Sequence, residues 1–472
     1  MAACAAKNLP GNKLPHLPWV AENNNRHSNS SVKQSIFLVL IGLMLIPLFQ
    51  YLLPFMDERP LEGVDPAAKL PEWTDSTWMS SEYQSAMEPA LEQNIGFHNA
   101  FVRLHNQLNY SLFNIGAGDV VVGRNEYLFL EPYVRAVTGE DYLGREIIAL
   151  HCDKISILQE ELKKKGIDIF IVLATGKGSF YAEYLPPGRM QKIVADSTNY
   201  AVYKDLLSGR GVNVLDLREK FGKAKASEKC PVYSNTGVHW TDYGYYIAAK
   251  EIVSYIEKLR NIDLPDFSMT SAEMMSLSGP KCKDYDAANL LNLAFRIPQP
   301  EVAIPKIRFD AAGKKTKPDF LCISDSYFPG IIHTGIPDAV FSTYHNWLYN
   351  DRIFPESFLH EKHVRDLDIK AEIEKQDVIC ILGTDATLTQ FPFDFVDKAF
   401  EIYGPQNKKY QSVKMKEHRL SIFRTLWNIQ HDVKWKAALD YNAKQNGIPE
   451  MQEYISNAQW IYNERQHQLK NE

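Results

Sequence analysis

The chain has 472 residues, 45% of them hydrophobic, with 52 Lys and Arg against 58 Asp and Glu for a formal net charge of -6. That composition is globular and long enough for about two to three domains, and its acidic balance excludes a nucleic-acid face built on net positive charge. The six cysteines have no metal-ligand spacing, and no residue pattern calls for a metal or a cofactor.

The chain opens on a tail, residues 1–33, followed by an apolar segment. No residue between Gln34 and Met56 is charged, and the run is long enough to cross a bilayer once. Lys7, Lys13, Arg26 and Lys33 precede it against Glu22 alone, whereas Asp57, Glu58, Glu62 and Asp65 follow it. The positive-inside rule then keeps the N-terminus in the cytoplasm and places everything after Met56 outside it. The length of the tail and the lack of a small-x-small cleavage site favour an uncleaved anchor over a signal peptide.

Residues 57–76 are rich in Pro and acids and read as a linker. From Ser80 to Phe113 apolar residues recur at helical spacing (Met87, Leu91, Ile95, Phe101, Leu104, Leu108, Leu112), which predicts two helices broken near Gly96. Asp119 to Leu130 predicts a hairpin around Gly123-Arg124-Asn125. Helices and strands then alternate: a helix over 147–165 stopped by Gly166, a strand over 167–174, a helix over 194–207, and strands over 212–217, 320–323 and 378–382. This alternation predicts an α/β fold with a mostly parallel sheet covered by helices. Cys322 and Cys380 fall inside two of these strands as buried thiols, and a disulfide could join two of Cys152, Cys230 and Cys282 without being required. From Asp432 a charged helical tail runs in two pieces parted by Gly447-Ile448-Pro449.

The apolar run Phe320–Ile323 leads directly into Ser324-Asp325-Ser326. Open α/β sheets bind ligands beyond the carboxyl ends of their strands, so Ser326 would face a crevice. A bare Ser-Asp-Ser is more often an Asx-turn, and the functional reading needs a partner. One lies upstream in Thr236-Gly237-Val238-His239-Trp240-Thr241-Asp242. Thr241 can cap the helix that follows, leaving His239 on a loop as a general base for a serine hydroxyl, too weak a nucleophile unaided.

His-Trp-Thr-x-x-Gly opening a helix, with a strand ending in Ser-Asp-Ser-Tyr farther on, resembles the SGNH-hydrolase-like domain of the AlgJ/AlgX alginate O-acetyltransferase family. Phe97-His98 with Arg103, Asn106-Gln107 and Tyr110-Ser111-Leu112-Phe113 is similar to a helix of that family, and Val122 to Phe129 to its hairpin. Ala174-Thr175-Gly176-Lys177 is similar to its strand end. The resemblance covers residues 77–425 and leaves 426–472 as the helical tail. It implies an SGNH-hydrolase-like sheet with helices on both faces, Ser326 as the nucleophile that carries an acetyl group and His239 as its base. It also implies a polysaccharide acceptor outside the cytoplasm and a multipass membrane-bound O-acyltransferase as donor. Asp325, Asp242, Lys177 and Trp240 are candidate supporting residues: Asp325 to shape the turn, Lys177 to bind an anionic sugar or an oxyanion unless it is an exposed loop lysine.

One position departs from the family's Asp-x-His-Trp: Gly237 stands where the Asp would orient the imidazole. Three accounts remain open from sequence: a Ser-His dyad, a replacement carboxylate such as Asp242 or Asp325, or a domain that has lost catalysis. The functional alternatives are accordingly an O-acetyltransferase, a carbohydrate esterase of the same fold, and a non-catalytic glycan-binding subunit.

Overall fold

The computed structural model describes residues 28–64, 68–225, 230–276, 283–298, 301–310 and 313–471. Its contacts divide the chain into two compact units, 1–102 and 103–472.

In the first unit, helix α1 (Ser28–Leu52) contains the stretch Val32–Leu52, which is long and apolar enough to cross a membrane and is almost entirely unburied by protein. Helix α2 (Glu82–Asn94) and the first turn of α3 (His98–Phe113) realise the two helices expected around Gly96.

The second unit begins with the rest of α3, from Arg103, and goes on to the hairpin of β1 (Val120–Val122) and β2 (Leu128–Leu130), closed by the turn Arg124–Glu126, where Asn125 and Glu126 take positive φ. Next in the chain come α4 (Glu131–Thr138), α5 (Arg145–Lys163) and β3 (Asp168–Ala174), and then α6 (Asn199–Gly209), β4 (Val214–Asp216) and α7 (Asp242–Arg260). A long ribbon, β5 (Phe267–Ser276) with β6 (Glu301–Phe309), encloses the short helix α8 (Asp286–Leu290). The remaining strands are β7 (Phe320–Ser324), β8 (Tyr344–Leu348), β9 (Arg352–Phe354) and β10 (Val378–Thr384).

The central sheet has the order β4-β3-β10-β7-β8-β9, parallel except for β9. Side chains alternate along a strand, and both faces here are apolar: Phe170, Val172, Cys322 and Cys380 enter one core, while Ile169, Ile171, Ile323 and Ile381 enter the other. Helix α7 covers the first face with Tyr245, Ile252 and Ile256. The second is covered by α5 and by α9 (Phe395–Tyr403) through Ile148, Ile155, Val396 and Ala399. Burial on both faces explains why these strands read as unbroken apolar runs.

The tail is helical, in α10 (Tyr410–His431), α11 (Val433–Asn446) and α12 (Glu450–Asn471). Residues 425 and 426 both lie inside α10, so no change of structure marks that position. Cys152, Cys230, Cys322 and Cys380 are free thiols, while Cys4 and Cys282 lie outside the described residues.

Candidate active site

Strand β7 is buried throughout and ends at Ser324, so the chain turns at the carboxyl edge of the sheet. Asp325, fully buried, fixes that turn. One of its carboxylate oxygens accepts from Thr384 N (2.8 Å), Thr384 Oγ1 (2.7 Å) and Thr387 Oγ1 (2.8 Å), and the other from Tyr327 N at 3.1 Å. Its carboxylate thus ties the end of β7 to the end of the neighbouring strand β10. Tyr327, also buried, donates its phenol to Val238 O at 2.9 Å and lays its ring 5.0 Å from that of His239. Ser326 sits between these two fixed residues and is half-buried.

His239 lies on a loop without regular structure, just before α7, whose N-cap is Thr241 as its sequence predicts: Gly244 N donates to Thr241 Oγ1. Loops of this kind need their backbone groups satisfied by other means. Lys177, 1% exposed, donates from Nζ to Asn235 O (2.9 Å) and Gly237 O (2.6 Å). It is therefore neither an exposed loop lysine nor a ligand for sugar or oxyanion, because its ammonium is buried on backbone carbonyls and over the rings of Tyr127 and Phe129. Burial lowers its pKa to about 7, the charge of Asp286 acting in the opposite sense. Trp240 is likewise internal, donating Nε1 to Tyr233 OH and packing edge-on to Phe221, Tyr245 and Tyr327.

The loop brings His239 Nε2 to 2.8 Å from Ser326 Oγ, and His239 Nδ1 to 2.6 Å from Asp286 Oδ2. Neither Asp242 nor Asp325 is the carboxylate on the imidazole. Asp242 opens α7, and Asp325 is occupied by Thr384, Thr387 and Tyr327. Asp286 comes from the first residue of α8, and its other oxygen accepts from Val238 N (2.6 Å) and Ala287 N (2.8 Å). Sequence reasoning missed it because it looked for the acid near His239, at Asp242, or on the nucleophile turn, at Asp325, whereas long-range bonds deliver it from a third segment. Ser234 Oγ and Thr236 Oγ1 donate to Asp284 O, and Ala288 N donates to Thr236 O, fastening the two segments side by side.

Gly237 has a role of its own. A Cβ there would lie 2.7 Å from Ser234 Oγ and 3.0 Å from the carbonyl of Asp284, so the glycine lets the Asp286 segment approach. The acid and the glycine are two sides of one arrangement.

A carboxylate only accepts, so Nδ1 of the neutral imidazole carries the hydrogen and Nε2 is left to accept from Ser326 Oγ–H. Burial opposes an imidazolium at His239, but the hydrogen bond and charge of Asp286, helped by Asp325 and Asp284, outweigh it and raise the pKa above its ordinary value. Tyr349 stands nearby, at φ 52°, its N–H held by Ser324 O at 2.7 Å. Burial raises its phenol pKa, and hydrogen bonding with the side chain and backbone of Ser326 opposes that rise. A hydroxyl, a neutral base and an oriented acid in line can run acyl transfer through a covalent ester. Among the described residues no cluster of His, Cys, Asp or Glu could hold a metal ion.

Residues 120–294 match the SGNH hydrolase-like domain of acetyltransferase AlgX. The probable alginate O-acetylase AlgJ of Pseudomonas fluorescens is 25% identical over 182 residues, 39% of this chain and 44% of that protein. Its counterpart in Pseudomonas putida is 28% identical over 153 residues, 32% and 37% of the two chains. The chain thus spans less than half the length of these curated relatives. Among solved structures, the O-acetyltransferase domain of Pseudomonas putida AlgJ aligns at 18% identity and TM-score 0.40, over 60% of this chain and 99% of that one. Pseudomonas aeruginosa AlgX aligns at 16% identity and TM-score 0.41, over 59% and 67%. The matched residues hold His239, Asp286 and Lys177, and over them the chain is similar to the SGNH hydrolase-like domain of acetyltransferase AlgX.

Proposed function

We propose that the chain is a membrane-anchored O-acetyltransferase that moves acetyl groups onto hydroxyls of a polysaccharide through an acetyl-Ser326 ester. The observation that carries this reading is the unbroken line Ser326 Oγ, His239, Asp286, with both hydrogen bonds at 2.8 Å or less. In the first half-reaction Ser326 Oγ attacks the acetyl carbonyl of the donor while its proton passes to His239 Nε2. The imidazolium then protonates the leaving oxygen of the donor. In the second half-reaction a sugar hydroxyl gives its proton to Nε2 and attacks the acetyl-serine, and the proton returns to Ser326 Oγ as the sugar ester leaves. Asp286 holds the tautomer and stabilises the imidazolium in both steps. The backbone N–H of Ser326 and the phenol of Tyr349, which hydrogen-bonds with Ser326, would donate to the developing oxyanion.

The relatives' names indicate alginate as the class of acceptor, an anionic polysaccharide. The donor side fits a multipass membrane-bound O-acyltransferase, since a tether on α1 would raise the local concentration of the domain beside such a partner. By the charge asymmetry around α1, the N-terminus is cytoplasmic and the domain extracytoplasmic. The test is incubation with an activated acetyl ester, with and without an oligosaccharide, followed by mass analysis of protein and sugar. Acetyl-protein that chases into acetyl-sugar supports transfer. Release of free acetate with no acetyl-sugar would make it an esterase, and identical behaviour of Ser326→Ala would remove the serine from the reaction.

A further inference from the structure

Helix α3 is amphipathic in the wrong sense for a soluble protein. Within the second unit, its polar side packs inward from Arg103 on: Arg103 is buried, Asn106 donates to Leu291 O at 3.0 Å, and Gln107 accepts from Phe295 N at 3.0 Å. Its apolar side faces outward, with Phe101, Leu104, Leu108, Leu112 and Phe113 all between 51% and 67% exposed. Phe101, Leu104, Leu108 and Leu112 lie three or four apart and form one continuous stripe, with Phe113 beside its end. Large exposed apolar stripes are unusual on a free surface and mark something that covers them.

Three observations indicate what covers this one. Within the first unit, the residues leading into α3 lie against the end of α1: a Cβ on Gly96 would meet Pro47 O at 2.2 Å and Gln50 Cβ at 2.6 Å. The Phe55 and Phe97 rings meet edge-on at 5.8 Å, and the Glu58 carboxylate accepts from Phe97 N and Ala100 N at the start of α3. The first turn of α3, which carries Phe101, therefore lies beside the end of the apolar span. Second, residues 93–118 contain no Asp or Glu, so nothing on the segment repels an anionic headgroup layer. Third, the stripe has large aliphatic and aromatic residues only, the composition of a helix lying along a membrane surface.

We propose that the Phe101-Leu104-Leu108-Leu112 face of α3 lies in the interfacial zone of the bilayer that α1 spans, as a second and shallow membrane contact. The inference is independent of the acetyl-transfer chemistry and rests only on α1 being the anchor. A single spanning helix leaves a tethered domain free to tilt and rotate about its linker. A helix embedded to about 5–10 Å in the headgroup and upper acyl region would fix the direction in which it leaves the membrane.

The test uses the full chain in nanodiscs of phosphatidylcholine and phosphatidylglycerol, one chain per disc, with Cys4, Cys230 and Cys282 changed to Ser. An environment-sensitive fluorophore is placed singly at Leu104→Cys, Leu108→Cys or Leu112→Cys, at Leu43→Cys in α1, and at Lys314→Cys on the exposed surface. The expected result is blue-shifted emission at 104, 108 and 112, quenched about twofold or more by lipids spin-labelled near the headgroup. The label at 43 should be quenched by deep spin labels and that at 314 by neither. Introducing Leu104→Glu and Leu112→Glu together should abolish lipid quenching at 108, which shows that the native face and not the dye inserts. Labels on α3 quenched by aqueous iodide and untouched by lipid labels would overturn the proposal. So would labels shielded from both quenchers, which would mean that protein covers the stripe, and a label at 43 outside the lipid would overturn it together with the anchor.

Discussion

The turn that carries Ser326 and the loop that carries His239 meet at 2.8 Å, yet they are held by different means. The turn is an extension of the sheet. β7 is paired on both sides by parallel strands, and Asp325 clamps the turn to the end of β10. The loop has no ladder of its own; Lys177, Asp286 and Ala288 satisfy its backbone from separate parts of the chain, and its Ser234 and Thr236 hydroxyls donate to the Asp284 carbonyl. The nucleophile's position follows from strand register, whereas that of the base depends on a buried polar network. Damage to the first should appear as lost stability, and damage to the second as lost chemistry in a folded protein.

The largest expected effect tests the loop side. Asp286→Asn keeps the volume but removes the charge that fixes the imidazole tautomer, and acetyl transfer should fall on the order of ten-thousandfold. Its thermal melt should stay close to wild type, because Asp286 is part-exposed and Asn can still accept from Val238 N. A fall of less than tenfold in acetyl-enzyme formation would mean that another group orients His239.

The turn side should respond the other way. Asp325→Asn would point an NH2 at donors that now face a carboxylate, leaving buried groups unpaired at a cost of about 2–4 kcal/mol. Chemical denaturation with an unchanged m-value would read this loss. If the variant melts like wild type while losing activity, the proposed contrast between turn and loop fails.

The two halves also differed in how readable they were. Strand β7 and the Ser326 turn could be read locally, since an apolar run followed by Ser-Asp-Ser is short and contiguous. The helix after His239 and its Thr241 cap were readable for the same reason. Asp286 was not, because it lies 47 positions from His239 and its approach depends on hydrogen bonds between segments with no shared period. Lys177 misled for a related reason: a lysine at a strand end reads as solvent-facing, and only the tertiary structure supplies the two carbonyls that bury it. Gly237 looked like a deletion from a triad, when its missing side chain is the space the neighbouring segment fills.

That reading of Gly237 gives a sharper test of the loop. Gly237→Asp, which puts an acid two residues before His239, should not raise turnover, since Asp286 already serves Nδ1. The new Cβ crowds Ser234 Oγ and the Asp284 carbonyl, and overpacking of this kind should destabilise by about 1–3 kcal/mol. A folded variant with faster acetyl transfer would show that Asp286 is a poor orienter.

The smallest effect concerns pH, and it separates the loop's contribution to chemistry from its contribution to stability. In the folded protein His239 has a pKa above its ordinary value of 6.5, because the bond and charge of Asp286 outweigh the burial that opposes protonation. Acetyl-enzyme formation needs the neutral imidazole, so its acid limb should have a midpoint above 6.5 and fall off below it. Stability runs in the opposite direction. The native state binds this proton more tightly than the unfolded chain, so the contribution is fully present below the unfolded pKa and is lost as pH rises through the folded one. Between those two values the protein should gain activity while losing part of its stability. His239→Gln should flatten that slope of stability with pH, and Asp286→Asn should move the midpoint of the residual activity downward. Melts and single-turnover acetylation measured across the same pH series give both curves, and an activity midpoint at or below 6.5 would mean that burial, not Asp286, governs the imidazole.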